Sequence, residues 1–144
     1  MMKNVFYALT LLFLFTACLS DKLNDEIEIT AELIDPENPP KIVFSELIFN
    51  FDTVALGEEV EHTFAFKNTG ETPLLINSVK AGCGCTVLKG WPKNPIASGG
   101  VGEIPIVFTP NRAGHTKKYI SILANTNPAT NTLYIEGQVV GTNN

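Results

Sequence analysis

The feature that most constrains this chain is a series of short runs in which apolar and polar residues alternate, with turn residues roughly every 8–12 positions. In "EVEHTFAFKN", Val60, Phe64 and Phe66 share one face and charged residues occupy the other. The same alternation predicts further inward-facing residues in three later runs: Ile104, Ile106, Phe108, Ile120, Ile122, Leu133, Ile135 and Val139. From Lys41 to the end, residues 41–144, we therefore expect one all-β domain, an antiparallel sandwich of about seven strands.

One residue interrupts this pattern inside a strand. Pro105 lies in "GEIPIVFTP" on the face opposite Ile104 and Ile106. Because proline has no backbone N–H to donate, we expect this strand to lie at a sheet edge or to contain a bulge.

The first residues of the chain predict a processing signal rather than part of the fold. Lys3 precedes an apolar run from Val5 to Phe15, which is shorter than the roughly 20 residues needed to span a bilayer. Thr16 and Ala17 then lead into Cys18, an arrangement that resembles a bacterial lipobox. We expect residues 1–17 to be a lipoprotein signal peptide and Cys18 to carry the lipid. In the alternative, the signal is an ordinary secretory one and Cys18 is incidental.

The next segment, residues 18–40, is predicted to be a tether. Between Leu19 and Pro40 it holds seven acidic residues and one lysine, whereas residues 41–144 hold eight acidic and eight basic residues. An acidic stretch that ends in "DPENPP" is typical of a spacer next to an anchor. The alternating "EIEITAEL" favours a second possibility, an extra strand within residues 26–34.

Three motifs in the domain carry a family resemblance. They are "FKNTG" at Phe66–Gly70, "CGCT" at Cys83–Thr86 and "IEGQV" at Ile135–Val139. With the segments around them, residues 42–140 resemble a bacterial domain-of-unknown-function family, the fifteen-seventy-three family, which is related to the ASPM, SPD-2 and Hydin modules. The resemblance implies an immunoglobulin-like β-sandwich, commonly secreted or lipid-anchored, in Bacteroidetes-type bacteria. It implies no particular activity.

Charge and motif content argue against two broad classes of function. The net charge is −5 and Arg112 is the only arginine, so we expect no nucleic-acid partner. The chain has two histidines and no nucleophile-elbow, zinc-protease or phosphate-loop motif. We therefore expect a protein that is not an enzyme and that uses no cofactor.

Cys83 and Cys85 form the one candidate centre for chemistry. Residues two apart on a strand face the same side, so a strained disulfide, a redox dithiol or a pair of metal ligands are all open to them. A third metal ligand could come from His62, which shares the inward register of Val60 and Phe64. The structural alternatives are a local disulfide or small buried thiols, with His62 hydrogen-bonded at a strand end.

Three aromatic residues are candidates for contacting a partner. Trp91, in the proline-bounded "LKGWPKNP", is either a binding anchor or a plug over one end of the core. Tyr119 and Tyr134 fall opposite the apolar faces of their strands, where Leu123 joins Tyr119. Such a cluster would form a partly exposed patch on neighbouring strands.

Together these features predict a non-catalytic, lipid-anchored module of the cell envelope that binds or scaffolds a protein partner, as an accessory of a larger membrane assembly. We expect it at the outer membrane, on either the periplasmic side or the cell-surface side. Strand addition at a sheet edge is the expected contact mode. The alternative is a thiol-based copper, zinc or redox protein centred on Cys83 and Cys85.

Overall fold

A computed structural model describes residues 37–82 and 86–141 of the 144-residue chain. The predicted signal segment 1–17, the lipid-attachment residue Cys18, the possible strand at 26–34 and the thiol pair Cys83 and Cys85 lie outside the described residues. In the described part of the chain there is no helix long and apolar enough to cross a membrane.

The described residues form eight strands in two four-stranded sheets. The strands are β1 (Ile42–Phe44), β2 (Ile48–Ala55), β3 (Val60–Asn68), β4 (Ile76–Ala81), β5 (Thr86–Leu88), β6 (Val101–Phe108), β7 (Gly114–Ala124) and β8 (Thr130–Val140). One sheet has the order β1-β3-β6-β5 and is called the β3 sheet below. The other has the order β2-β8-β7-β4 and is called the β8 sheet.

The all-β sandwich is confirmed, but the described residues form eight strands rather than about seven, and one pair of these strands is parallel. The run "KIVFSELIFNFDTV" divides at Ser45 and passes from β1 in the β3 sheet to β2 in the β8 sheet. Beyond this crossing β2 runs parallel to β8, whereas every other paired strand is antiparallel. Alternation reports which residues face inward, but it carries no information on when a chain changes sheets.

The core lies between the two sheets and follows the predicted inward faces. Phe64, Ile104 and Ile106 of the β3 sheet and Ile120 and Leu133 of the β8 sheet are almost wholly inaccessible to solvent. Each such side chain contributes roughly 1.5–3 kcal/mol by leaving water. Burial of these alternating side chains therefore fixes the register of both sheets.

The expectation that β6 is an edge strand or bulged is wrong. β6 lies inside its sheet, with β3 on one side and β5 on the other, and its register with β3 is unbroken. The Lys89 amide donates to the Pro105 carbonyl over 3.0 Å, but Pro105 has no N–H with which to return the bond. β5 ends at Leu88, one residue before this position, so the proline terminates the short neighbour rather than its own strand.

The "FKNTG" motif closes the end of the sandwich at which the chain enters. The Asn68 side chain is fully buried and donates to the carbonyls of Thr72 (2.8 Å) and Ile96 (3.0 Å). Its Oδ1 accepts from the amides of Gly70 (3.0 Å) and Lys41 (3.4 Å). One amide side chain thus satisfies four backbone groups of three separate segments.

Gly70 and Gly137 mark two close approaches in the family motifs. A Cβ on Gly70 would lie 2.6 Å from the Lys41 nitrogen, so glycine lets Pro40 and Lys41 pack on this turn. Pro40 is itself fully buried. A Cβ on Gly137 would lie 2.5 Å from the Phe51 ring, so "IEGQV" contains the glycine that admits β2 beside β8.

Candidate functional site

An exposed apolar row crosses the outer surface of the β8 sheet. Tyr119 on β7 and Tyr134 on β8 are direct register partners, and Ile48 on β2 lies opposite Tyr134. Tyr119 is 51% exposed and Ile48 45%, and Leu123, on the outward face of β7, is 39% exposed. We call Ile48, Tyr119, Leu123 and Tyr134 the tyrosine face.

The two rings of the tyrosine face are held by their neighbours. The Lys117 ammonium lies 4.9 Å from the Tyr134 ring centroid and 2.8 Å from Glu136 Oε2, a cation–π contact combined with an ion pair. The Tyr119 ring lies against the backbone of Gly82, where any Cβ would overlap it, and the Gly82 amide donates to the Tyr119 carbonyl over 2.9 Å. The row therefore ends directly beside the residue that precedes the "CGCT" motif.

Trp91 packs on the core with one side of its ring and borders an open groove with the other. Its ring is half-buried and packs against the hydrophobic core, as a plug would. The Lys93 ammonium lies 3.0 Å from the centroid of the ring. The indole N–H is buried and has no hydrogen-bond partner among the described residues, which costs about 1–3 kcal/mol.

The other side of Trp91 borders a groove on the outer surface of the β3 sheet. The groove has a volume of about 880 Å³ and a mostly apolar lining. Outward-facing side chains of β1, β3 and β6 form it, among them Val43, Ala65, Val101 and Pro105. The sandwich therefore carries an exposed apolar surface on each sheet.

His62 points between the sheets, as its register predicted. Its ring stacks on Phe49 with centroids 3.7 Å apart and planes 3° from parallel, and it meets the edge of Phe64 at 4.6 Å. The Nε2 atom lies 3.1 Å from Glu46 Oε1 but is not aligned for a hydrogen bond, so the contact is electrostatic. Burial lowers the pKa of His62 below its ordinary value of 6.5, and Glu46 partly opposes this.

This environment bears on the proposed metal site. Phe49 and Phe64 cover the His62 ring, and Glu46 is the carboxylate in contact with it. Residues 37–82 and 86–141 contain no group of three or more histidine, cysteine, aspartate or glutamate side chains that could hold a metal ion. The thiols with which His62 was expected to act lie outside the described residues.

Two residues with a role in these surfaces and in the fold, Ile48 and Asn68, were not predicted from the sequence. Ile48 joins the tyrosine face only because β2 crosses into the β8 sheet, although the alternation of "LIFNF" already opposes it to Phe49 and Phe51. Asn68 ends β3 in the inward register, and a polar residue in that register was the available signal of its buried bonding role.

Comparison with solved structures shows which fold this chain shares. An all-β sandwich of this kind is shared with the ASH/PapD-like domain 7 of human CEP192, with a TM-score of 0.57 at 16% identity, over 72% of this chain and 87% of that one. The secreted serine protease VesC from Vibrio cholerae gives a TM-score of 0.56 at 11% identity, over 75% of this chain and 24% of that one. At these identities the likeness concerns the fold alone.

The family follows from the sequence match. The model of the family described as "Protein of unknown function (DUF1573)" matches residues 42–139, and the chain belongs to this family, as its motifs predicted. A protein of unknown function from Porphyromonas gingivalis W83 has a TM-score of 0.59 at 17% identity, over 69% of this chain and 46% of that one. The chain thus spans about half the length of that protein. No curated protein matches the sequence.

Proposed function

We propose that this protein is a non-catalytic binding module, anchored by a lipid on Cys18 to a membrane of the bacterial cell envelope, and that it holds a protein partner through the tyrosine face. The observation that carries the proposal is the row of Ile48, Tyr134 and Tyr119 across three adjacent strands. Exposed aromatic and aliphatic side chains that are contiguous, rather than scattered, are typical of protein interfaces.

The position of this row suits binding. β7 and β8 have 11 residues each, and each lies between two neighbours in its sheet, so the tyrosines project from a well-supported surface. Tyrosine has two side-chain torsions, so ordering it on binding costs less entropy than ordering a lysine or arginine. Lys117 and Glu136, beside Tyr134, supply the polar rim that surrounds the apolar centre of many interfaces.

The sheet edges support the broad face rather than strand addition as the contact mode. The edge strands of the β3 sheet, β1 and β5, have three residues each. In the β8 sheet, both edge strands pair irregularly: β2 shifts register between Asn50 and Thr53, where Asp52 adopts a φ of +56°, and β4 shifts register between Ile76 and Ser78. Short and bulged edges are the usual means by which proteins discourage the pairing of a further strand.

The experiment is site-specific photo-crosslinking of the full-length protein in the bacterium that produces it. A benzophenone amino acid replaces Tyr119 in one variant, Thr63 in a second and Ala65, in the groove beside Trp91, in a third. Thr63 projects from the outer surface of the opposite sheet and serves as the matched control. We expect a discrete adduct with one protein at position 119 and none at position 63. An added Ile48→Asp substitution should abolish that adduct, because a carboxylate would be buried in the contact.

Two results would contradict the proposal. An identical adduct pattern at positions 119 and 63 would mean nonspecific proximity to neighbours in the envelope. An adduct that forms from Ala65 but not from Tyr119 would move the contact to the groove beside Trp91. The anchor is tested separately by metabolic labelling with a fatty acid, which should mark the wild-type protein and leave a Cys18→Ser variant unmarked.

A further inference from the structure

A second surface feature, distinct from the tyrosine face, lies at the opposite end of the sandwich from Pro40. The chain enters where Ile42 pairs with Asn68, whereas Val60 pairs with Phe108 at the other end. There, the connection from β6 to β7 and the first residues of β7 enclose a polar cleft of about 450 Å³. We call it the Arg112 cleft.

The lining of the Arg112 cleft is cationic. It includes Arg112 and Lys118 and no carboxylate. Lys117 and His115 also border the cleft, but they lie in the outward register of β7, and the Lys117 ammonium is engaged by Glu136 and Tyr134. Thr116 and Asn111 add neutral hydrogen-bonding groups to the lining. The domain from Lys41 onward holds equal numbers of acidic and basic residues, so this concentration of positive charge is local.

Lys118 is the most informative member of the cleft. It shares its face of β7 with Ile120 and Ile122, both fully buried, and it pairs with buried Ile135. This is the core-facing register, continued into the open end of the sandwich, and Lys118 is half-buried there. An ammonium group in such a place requires solvent or an anion to compensate its charge.

Two carboxylates at this end of the sandwich are bonded to other groups. Glu136 accepts from Lys117 at 2.8 Å, and Glu58, in the turn at the same end, accepts from the Ala55 amide at 2.9 Å. Neither Arg112 nor Lys118 forms an ion pair or a side-chain hydrogen bond with any residue of the described ranges. Arg112 and Lys118 therefore line one cleft without an ion pair to any residue of the described ranges.

We propose that the Arg112 cleft binds a phosphate group. Arg112 presents a planar fork of N–H donors from the connection, and Lys118 presents a point charge from the core-facing side of β7. A tetrahedral oxyanion has more acceptor positions than a carboxylate, and Thr116 and Asn111 offer further donors to it. The phosphate belongs either to a small phosphorylated molecule or to the headgroup of a lipid.

The test is a calorimetric titration of the detergent-solubilised, full-length protein with inorganic phosphate at low and constant ionic strength. We expect saturable binding at one site. Arg112→Gln and Lys118→Met should each weaken it roughly tenfold, the change expected for loss of one charge-assisted hydrogen bond. Lys80→Met, on β4 and outside the cleft, is the matched control and should bind phosphate as the wild type does. Urea unfolding of each variant checks that the fold is retained.

A second ligand distinguishes a lipid headgroup from a small phosphorylated molecule as the source of the phosphate group. Glycerophosphoglycerol carries the phosphodiester of a phospholipid headgroup without its acyl chains. Binding as tight as that of inorganic phosphate assigns the cleft to lipid headgroups, and binding of inorganic phosphate alone assigns it to small phosphorylated molecules. The proposal is overturned by an absence of saturable binding, by wild-type affinity in the Arg112→Gln/Lys118→Met variant, or by acetate binding as tightly as phosphate. None of these results bears on the tyrosine face.

Discussion

Tyr119 and Tyr134 lie directly opposite each other on β7 and β8, with both rings on the outer surface of the β8 sheet. The Tyr119 ring packs on Gly82 and the Tyr134 ring on the Lys117 ammonium, so each ring is supported by its own neighbour. We expect a double-mutant cycle of Lys117→Met and Tyr134→Ala, measured by urea unfolding, to give a coupling free energy of about 0.5 kcal/mol, as for an exposed cation–π contact. Tyr119→Ala combined with Thr63→Ala, on opposite sheets, should show none. Each single variant should remain folded, so that any loss of binding is attributable to the surface.

Asn68 supports the fold from inside. Its side chain satisfies the backbone of Lys41, Gly70, Thr72 and Ile96, and all four groups lose a partner in Asn68→Ala. We expect the free energy of unfolding to fall by roughly 2–4 kcal/mol, as observed when several buried polar groups are left unpaired.

Asn77 provides the matched control for this measurement. It is exposed on β4, and Asn77→Ala should change the free energy of unfolding by no more than about 0.5 kcal/mol. Equal losses in Asn68→Ala and Asn77→Ala would mean that the bonds at the end of β3 do not hold this end of the sandwich together.

His62 makes stability depend on pH in a defined direction. Because burial lowers the pKa of His62 below 6.5, the unfolded chain binds a proton at this residue more readily than the folded one. The stabilisation is fully present above pH 6.5 and is lost as the pH falls from 6.5 through the folded pKa. We expect the free energy of unfolding to decrease over that window in the wild type.

Two variants separate His62 from other titrating groups. His62→Gln should flatten the decrease, whereas His115→Gln, at an exposed position of β7, should leave it unchanged. Glu46→Gln removes the contact that opposes the effect of burial, so it should lower the pKa of His62 further and steepen the decrease. A stability that rises on acidification in the wild type but not in His62→Gln would reverse this account of the site.

The alternative function, a thiol-based copper, zinc or redox protein, depends on Cys83 and Cys85. Two thiolates give half of a tetrahedral site, and the ring of His62 is covered by Phe49 and Phe64. We expect purified full-length protein to hold no stoichiometric copper or zinc, and Cys83→Ser/Cys85→Ser to retain the adduct formed at position 119. Metal bound at one equivalent and lost in the double variant would establish the alternative instead.

The sequence predicted the fold wherever one physical signal decided the outcome. Alternation placed Phe64, Ile106 and Ile120 in the core and turned Tyr119 outward, because a strand with one buried face admits a single register. It failed at Pro105, since a missing N–H matters only on the side where a neighbour continues, and β5 stops there. The local sequence pattern does not show which strand lies beside Pro105 or where that strand ends.

The sites were less predictable than the core, since they depend on which strands become neighbours. The pairing of Ile48 with Tyr134 follows from the crossing of the chain at Ser45, which alternation does not encode. Arg112 and Lys118 look like ordinary surface cations in the sequence. They line the same cleft because β7 begins beyond the core, at the end of the sandwich where the connection from β6 carries Arg112.

The central claim is that the tyrosine face holds a protein partner, and the mass of the solubilised complex tests it most directly. Full-length protein is extracted in a mild detergent and its mass is measured by light scattering, beside a Tyr119→Ser/Tyr134→Ser variant and a Thr63→Ser control. We predict that the wild type and the control have a protein mass, after subtraction of detergent, above that of a single processed chain, and that the double variant has the mass of a single chain. An equally heavy complex in the double variant, or a lone chain in all three, would contradict the account.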